Sequence, residues 1–339
     1  IRDSLVLWTA SCSHDTEAFG TSDKESVLSI GLRLPAASPK AGEGYEVGET
    51  YENYIDIEHN NYRIYFFTSD NKFIARFEPD GFVVAEGSDY RDYSMLGKAP
   101  AVLADHKNFK MVVLANWPQY GDETMKAGET LLADICNAEW GRFDCFSPFG
   151  PDPDRLIPFY GVSEYNDIAL RPGEVTLLPE PVALLRAVAK VEVVLKTDAR
   201  FDLSFSEVKI RRYNRTGYCA PKDVFSREDY DHDGAWDSDY VSGLHLVEDS
   251  NDVEEKTQNF RFADKWTDTD GNRYEKWTAY LPEYRNIGAG DQYSNIEVRL
   301  DAQTGEDEPH KVYFANYDES GKTDNNDNAR RFDIARNNP

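Results

Sequence analysis

From Leu185 to Leu195 the chain alternates in a way that few backbones can use. Ala187, Ala189, Val191, Val193 and Leu195 are all apolar, while Arg186, Lys190, Glu192 and Lys196 occupy the positions between, broken only by Val188 and Val194. A period of two with β-branched residues predicts a strand that turns one face to a core and the other to water. The stretch follows Leu178-Pro179-Glu180-Pro181, whose prolines punctuate the chain near its middle. It is therefore expected to open a second domain.

Similar alternation recurs on both sides of it. Val27 to Leu34 sets Leu28, Ile30, Leu32 and Leu34 on one face, with Ser29, Gly31 and Arg33 on the other. Arg63–Phe67 and Lys72–Phe77 flank Ser69-Asp70-Asn71 as a hairpin would. Phe109 to Trp117 is apolar enough for a strand buried on both faces, and Asp167–Leu178 reads as a strand pair turned at Pro172-Gly173. Residues 122–140 hold the best helical spacing, through Met125, Leu131, Leu132, Ile135 and Ala138. Beyond the central stretch, Leu203–Phe205, Val208–Ile210, Ile296–Leu300 and Val312–Asn316 continue the strand series. Many short strands, frequent turn signals and few helices predict an all-β chain of two tandem β-sandwiches. A length of 339 residues is sufficient for two cores. The expected division is a leader and tether at 1–23, an N-terminal sandwich at 24–180 and a C-terminal sandwich at 181–339, the last carrying an acidic insertion at 214–259.

Several strings also resemble one family. Arg186–Val193, Ile157-Pro158-Phe159-Tyr160-Gly161, Val113-Leu114-Ala115-Asn116, Ala279-Tyr280-Leu281-Pro282-Glu283-Tyr284 and Phe332-Asp333-Ile334-Ala335-Arg336-Asn337 resemble, in the family's order, the fimbrillins. These are the type V pilus subunits of Bacteroidetes-type bacteria and their fimbrillin-like surface lipoproteins. The resemblance implies transthyretin-like sandwiches and a subunit of a cell-surface fimbria that works in adhesion. It further implies assembly by donor-strand exchange, with other fimbrial subunits as partners. In that scheme a protease cuts after a basic residue beyond the first strand, and a neighbour's terminal segment takes the vacated groove. Carried onto this sequence, the displaced strand is Val27–Leu34, with Leu28, Ile30, Leu32 and Leu34 filling the pockets and Arg33 as the processing site. The plainer alternative is a permanent edge strand with a solvated arginine. Phe332–Asn338 matches the point where family members run on into a final strand, and whether that strand lies beyond Pro339 stays open.

Leu5-Val6-Leu7-Trp8-Thr9-Ala10-Ser11-Cys12 resembles the close of a bacterial lipoprotein signal. Cys12 would then be lipidated, giving an outer-membrane lipoprotein at the cell surface; the alternative is a leader with a chance cysteine. A net charge of −25, from 62 acidic against 37 basic residues, repels phosphate backbones and anionic lipid. It argues against nucleic-acid partners and against any membrane contact other than a lipid anchor. Cys136 and Cys145 could form one bridge or be buried thiols, and the four cysteines make no metal-ligand pattern.

Chemistry-bearing motifs are sparse. Asp229, Asp231 and Asp233 precede Gly234 at the alternate spacing that lets carboxylates converge on calcium. Tyr240 stands where such a loop places its bidentate glutamate, so a solvated acidic loop competes with a Ca²⁺ site. The histidines show no HxxxH spacing, GxSxG is absent, and acid pairs are too numerous to single out a hydrolase. No cofactor and no catalytic residue is expected. Against the fimbrial subunit stands a second reading, a non-polymerising surface lipoprotein that binds a glycan or a host protein.

Overall fold

Alternating sequences become sandwiches only when their apolar faces meet, and a computed structural model shows where they do. It describes residues 25–34, 52, 54–86, 91–116, 125–136, 142–144, 149, 155–198, 200–201, 203–214, 216–220, 257–259, 261–284, 286, 293–301, 308–315 and 334. Cys12 and the Asp229, Asp231, Asp233 cluster lie outside these residues. The described chain is almost all β, in several antiparallel sheets arranged as sandwiches.

The N-terminal strands are β1 (Val27–Leu34), β2 (Tyr62–Phe67), β3 (Phe73–Phe77), β4 (Gly81–Glu86), β5 (Arg91–Lys98), β6 (Phe109–Ala115), β7 (Arg142–Asp144), β8 (Phe159–Tyr165), β9 (Val175–Leu177), β10 (Val182–Ala183) and β11 (Leu185–Arg186). One sheet runs β10-β1-β5-β4, with β9 also pairing with β1; the other runs β11-β8-β6-β2-β3. Leu28, Ile30, Leu32 and Leu34 enter one core with Ile64, Phe66, Met111 and Val113 of the facing sheet. Edge-to-face rings knit it, Phe66 meeting Phe109 at 5.2 Å and Phe77 at 6.3 Å. Every residue of β2 is buried, because Tyr65 and Phe67 on its second face pack on Phe73.

Asn116 closes β6 with φ 53°, a left-handed turn that asparagine tolerates better than most residues. Its side chain accepts from Asp56 N at 2.9 Å and donates to the carbonyls of Tyr54 and Ile157 at 2.6 and 2.8 Å. The last residue of the Val113–Asn116 string is thus a latch between two loops.

The second group comprises β12 (Val188–Thr197), β13 (Phe205–Arg211), β14 (Thr216–Tyr218), β15 (Thr257–Asn259), β16 (Arg261–Thr267), β17 (Arg273–Pro282), β18 (Asn295–Leu300) and β19 (His310–Tyr313). Sheets β12-β17-β16 and β15-β13-β18-β19 enclose a smaller core with Ala189, Val191, Val208, Ile210, Ile296 and Val298. Ile334 reaches this core and exchanges two backbone bonds with Tyr284, at 2.8 and 2.9 Å.

Three expectations change. The central stretch is two strands, not one: β11 pairs with β8, whereas β12 begins after Ala187 and pairs with β17 over ten residues. Its alternation survives the break, since periodicity reports faces and not partners. The helical spacing at 122–140 yields, among the described residues, only α1 (Leu132–Cys136); Met125 and Leu131 lie outside that helix. Asp167–Leu178 is no hairpin, because β9 pairs in parallel with β1.

Candidate functional site

All eight residues of β1 register antiparallel with β5, from Val27 opposite Lys98 to Leu34 opposite Arg91. On the other side, Val27–Ser29 pair in parallel with β9, and Leu32–Arg33 with β10. The strand expected at an edge is therefore held on both sides. Bonds from Leu178 N to Ser29 O (3.0 Å), Leu184 N to Arg33 O (2.8 Å) and Val27 N to Glu174 O (3.0 Å) tie it to the parallel side.

The alternation does what the sequence required of it. Leu28, Ile30, Leu32 and Leu34 are each at most 1% exposed. Burying four such side chains stabilises by about 6–12 kcal/mol at 1.5–3 kcal/mol each. That is comparable with the whole stability of an ordinary domain. Hence β1 cannot leave an empty groove at equilibrium. Gly31 admits a close neighbour, because a Cβ there would sit 3.0 Å from Pro181 Cβ.

Arg33 points to the outer face, its side chain 44% exposed, and its Nε and Nη2 donate to Asp92 Oδ1 and Oδ2 at 2.9 and 3.0 Å. A fork of this kind at the surface contributes up to about 1 kcal/mol. It aligns the arginine without burying it. The pairing partner was invisible in sequence, being 59 residues away.

A second constellation, which sequence reasoning missed, joins the two sandwiches. Glu52, 4% exposed, lies 3.1 Å from Lys190 Nζ of β12 and accepts a hydrogen bond from Tyr280 OH of β17. Arg186 Nε donates to the Glu52 carbonyl at 2.8 Å. Lys190 also approaches Glu192 at 3.1 Å. Burial alone would lower the Lys190 pKa, but attraction to Glu52 and Glu192 outweighs it and raises the pKa above the ordinary lysine value. Phe149 stands edge-on to Tyr280 at 5.7 Å beside this cluster.

In the second sandwich a cavity of about 210 Å³ opens beside Glu275. Its carboxylate is engaged: it accepts from Phe205 N at 3.2 Å and Trp277 Nε1 at 2.9 Å, and meets Lys265 Nζ at 3.4 Å. That arrangement fastens β13 to β17. Among the described residues no group of three or more His, Cys, Asp or Glu side chains is placed to hold a metal. Cys136 and Cys219 are both buried in the first core.

No family model matches the chain, and no curated protein matches it. Some solved structures are similar to it at a low level. A candidate adhesin from Bacteroides ovatus superposes with a TM-score of 0.33 and 11% identity, covering 84% of this chain and 75% of that one. One from Bacteroides thetaiotaomicron gives 0.33 and 10%, over 82% and 77% of the two chains. Another from Bacteroides ovatus gives 0.26 and 11%, over 87% of each.

Proposed function

We propose that this chain is a structural subunit of a cell-surface fimbria, joined to other subunits by donor-strand exchange at β1 and contributing to adhesion. The observation that carries the reading is the geometry of β1. Its four alternate side chains fill a groove bounded by backbone on both sides. A groove of that form accepts any strand that presents the same alternation to the same pockets, which is β-augmentation with exchange of the occupant. Arg33 stands near the C-terminal end of β1 with an exposed side chain, where a cut would free the strand as far as Arg33, with Leu28, Ile30 and Leu32, and leave Leu34 in place. In the same reading Cys12 carries the lipid that holds the unassembled subunit at the outer membrane.

The test is treatment of the purified protein with an arginine-specific protease. Cleavage at Arg33 followed by SDS-resistant ladders and filaments is the expected result, with Arg33→Ala remaining monomeric. Clean cleavage at Arg33 with no polymer overturns it. The pairing of β1 on both sides, with Arg33 held by Asp92, favours one competing reading. This is a monomeric surface lipoprotein that keeps β1 and binds a glycan or a host protein. Resistance of Arg33 at every protease concentration that leaves the fold intact would favour that reading.

A further inference from the structure

We propose that the segment from Val175 to Leu184, carrying β9 and β10, is a releasable strap over β1. Peeling it away, and not unpairing β1 from β5, opens the groove and exposes the Arg33–Leu34 bond. This rests on the reading of β1 as the exchanged strand, and it deepens that reading by naming what gates the exchange.

The two sides of β1 are unequal. Towards β5 the ladder is antiparallel and unbroken along all eight residues. Towards the strap it is parallel and comes in two pieces, Val27–Ser29 with β9 and Leu32–Arg33 with β10. The gap falls at Ile30 and Gly31, opposite Pro179-Glu180-Pro181, and the two prolines have no N–H to give a ladder. Pro181 instead packs directly on Gly31. Among the described residues this sheet ends at β10, and beyond it the strap borders Gly161 of β8 in the other sheet. Its backbone hold on β1 is correspondingly smaller than that of β5, and a bond from Tyr165 OH of β8 to the Glu180 carbonyl at 2.7 Å adds to it. Leu178, Val182 and Leu184 are buried, at 3% exposure or less, but Val175 and Leu177 of β9 are 62% and 70% exposed. Parallel pairing, interrupted bonding and outward apolar side chains together mark a unit that opens before the structure beneath it.

The strap also decides whether Arg33 can be cut. The Arg33 carbonyl accepts from Leu184 N at 2.8 Å, so the strap holds the oxygen that a protease must polarise and covers the edge along which it would pair with β1. The strap then runs through β11 to Arg186, which bonds the Glu52 carbonyl, and on to β12 of the second sandwich.

The experiment compares two core truncations in the intact chain: Leu178→Ala, which removes a strap anchor, and Val113→Ala, in β6 of the same core. Both are assayed where circular dichroism shows them folded. Leu178→Ala is expected to speed cleavage at Arg33 by about tenfold or more, with Val113→Ala within about twofold of the unmodified protein. Amide exchange at Leu178 and Leu184 in the unmodified protein should exceed that of the β1–β5 ladder by about tenfold. Equal acceleration by the two variants, or strap amides as slow as the ladder, overturns the strap. Uptake of a labelled synthetic peptide of residues 25–33 by the cleaved protein is scored separately. If the gating pattern appears and the peptide is never taken up, the strap stands and strand exchange falls.

Discussion

At the scale of single residues, the polar groups that matter are those whose partners lie far along the chain. Asn116 combines a left-handed backbone with three hydrogen bonds to Tyr54, Asp56 and Ile157. Asn116→Ala should cost about 2–4 kcal/mol in urea unfolding, from the lost bonds and the strained φ together. Asn116→Gly, which relieves the φ alone, should recover part of that loss. Asp268 acts within its own hairpin. Its carboxylate accepts from Asn272 N, Asn272 Nδ2 and Tyr274 OH. With the Asn272 side-chain bond the largest cause, this lowers its pKa from 3.8 to about 2. A depressed carboxylate stabilises the fold above its unfolded pKa, and that contribution disappears as pH falls through about 2. Carboxyl NMR titration should find the low value in the folded protein, and Asp268→Asn should remove the corresponding pH dependence of stability between about 4 and 2. Neither role shows in sequence, where Asn116 interrupts an apolar run and Asp268 is one of 62 acids.

Elements divide into those whose environment repeats along the strand and those whose environment does not. β1 was legible because one of its faces is core throughout, and the burial of Leu28, Ile30, Leu32 and Leu34 follows the period. Ile30→Ala should lower stability by about 2–5 kcal/mol, whereas Arg33→Ala should cost no more than about 1 kcal/mol. β17 is as long as β12, yet its alternation was hidden. Glu275 occupies a buried position and is satisfied by Phe205 N and Trp277 Nε1, so a core-facing residue reads as polar. β8 carries a constraint of another kind. A Cβ at Gly161 would meet Ala183 O at 2.5 Å and Leu184 Cδ2 at 2.7 Å. Gly161→Ala should therefore push β8 away from the strap and cost about 1–3 kcal/mol by thermal or urea unfolding. The glycine of the Ile157–Gly161 string has a packing role that only the facing backbone reveals.

For the whole molecule, the decisive contact is the buried cluster of Glu52, Lys190 and Tyr280 between the sandwiches. Lys190→Met leaves Glu52 nearly buried without its cation and should cost about 3–5 kcal/mol. Glu52→Gln leaves Lys190 with Glu192 still 3.1 Å away and should cost less. Differential scanning calorimetry of the two variants checks the order, and equal losses would show that the carboxylate is not what the junction depends on. Apolar contact reinforces the junction, since Tyr280 of β17, with Cys219 and Ala220, belongs to the first core. The pairing of β7 with β14 likewise ties residues 142–144 to 216–218.

The sequence by itself determined that this chain is all-β, that it has material for two cores, and which side chains of β1 face inward. Those are properties of periodicity and composition, and periodicity acts within one strand. Only the tertiary structure decided that Leu185–Arg186 joins one sheet and Val188–Thr197 another. It also placed β1 between β5 and a proline-broken parallel strap, and set Glu52 against Lys190. Each of these depends on pairing between residues far apart in the chain. Alternation fixes the face that a residue presents, but the partner across the ladder is chosen by hydrogen bonds and packing that no single strand encodes.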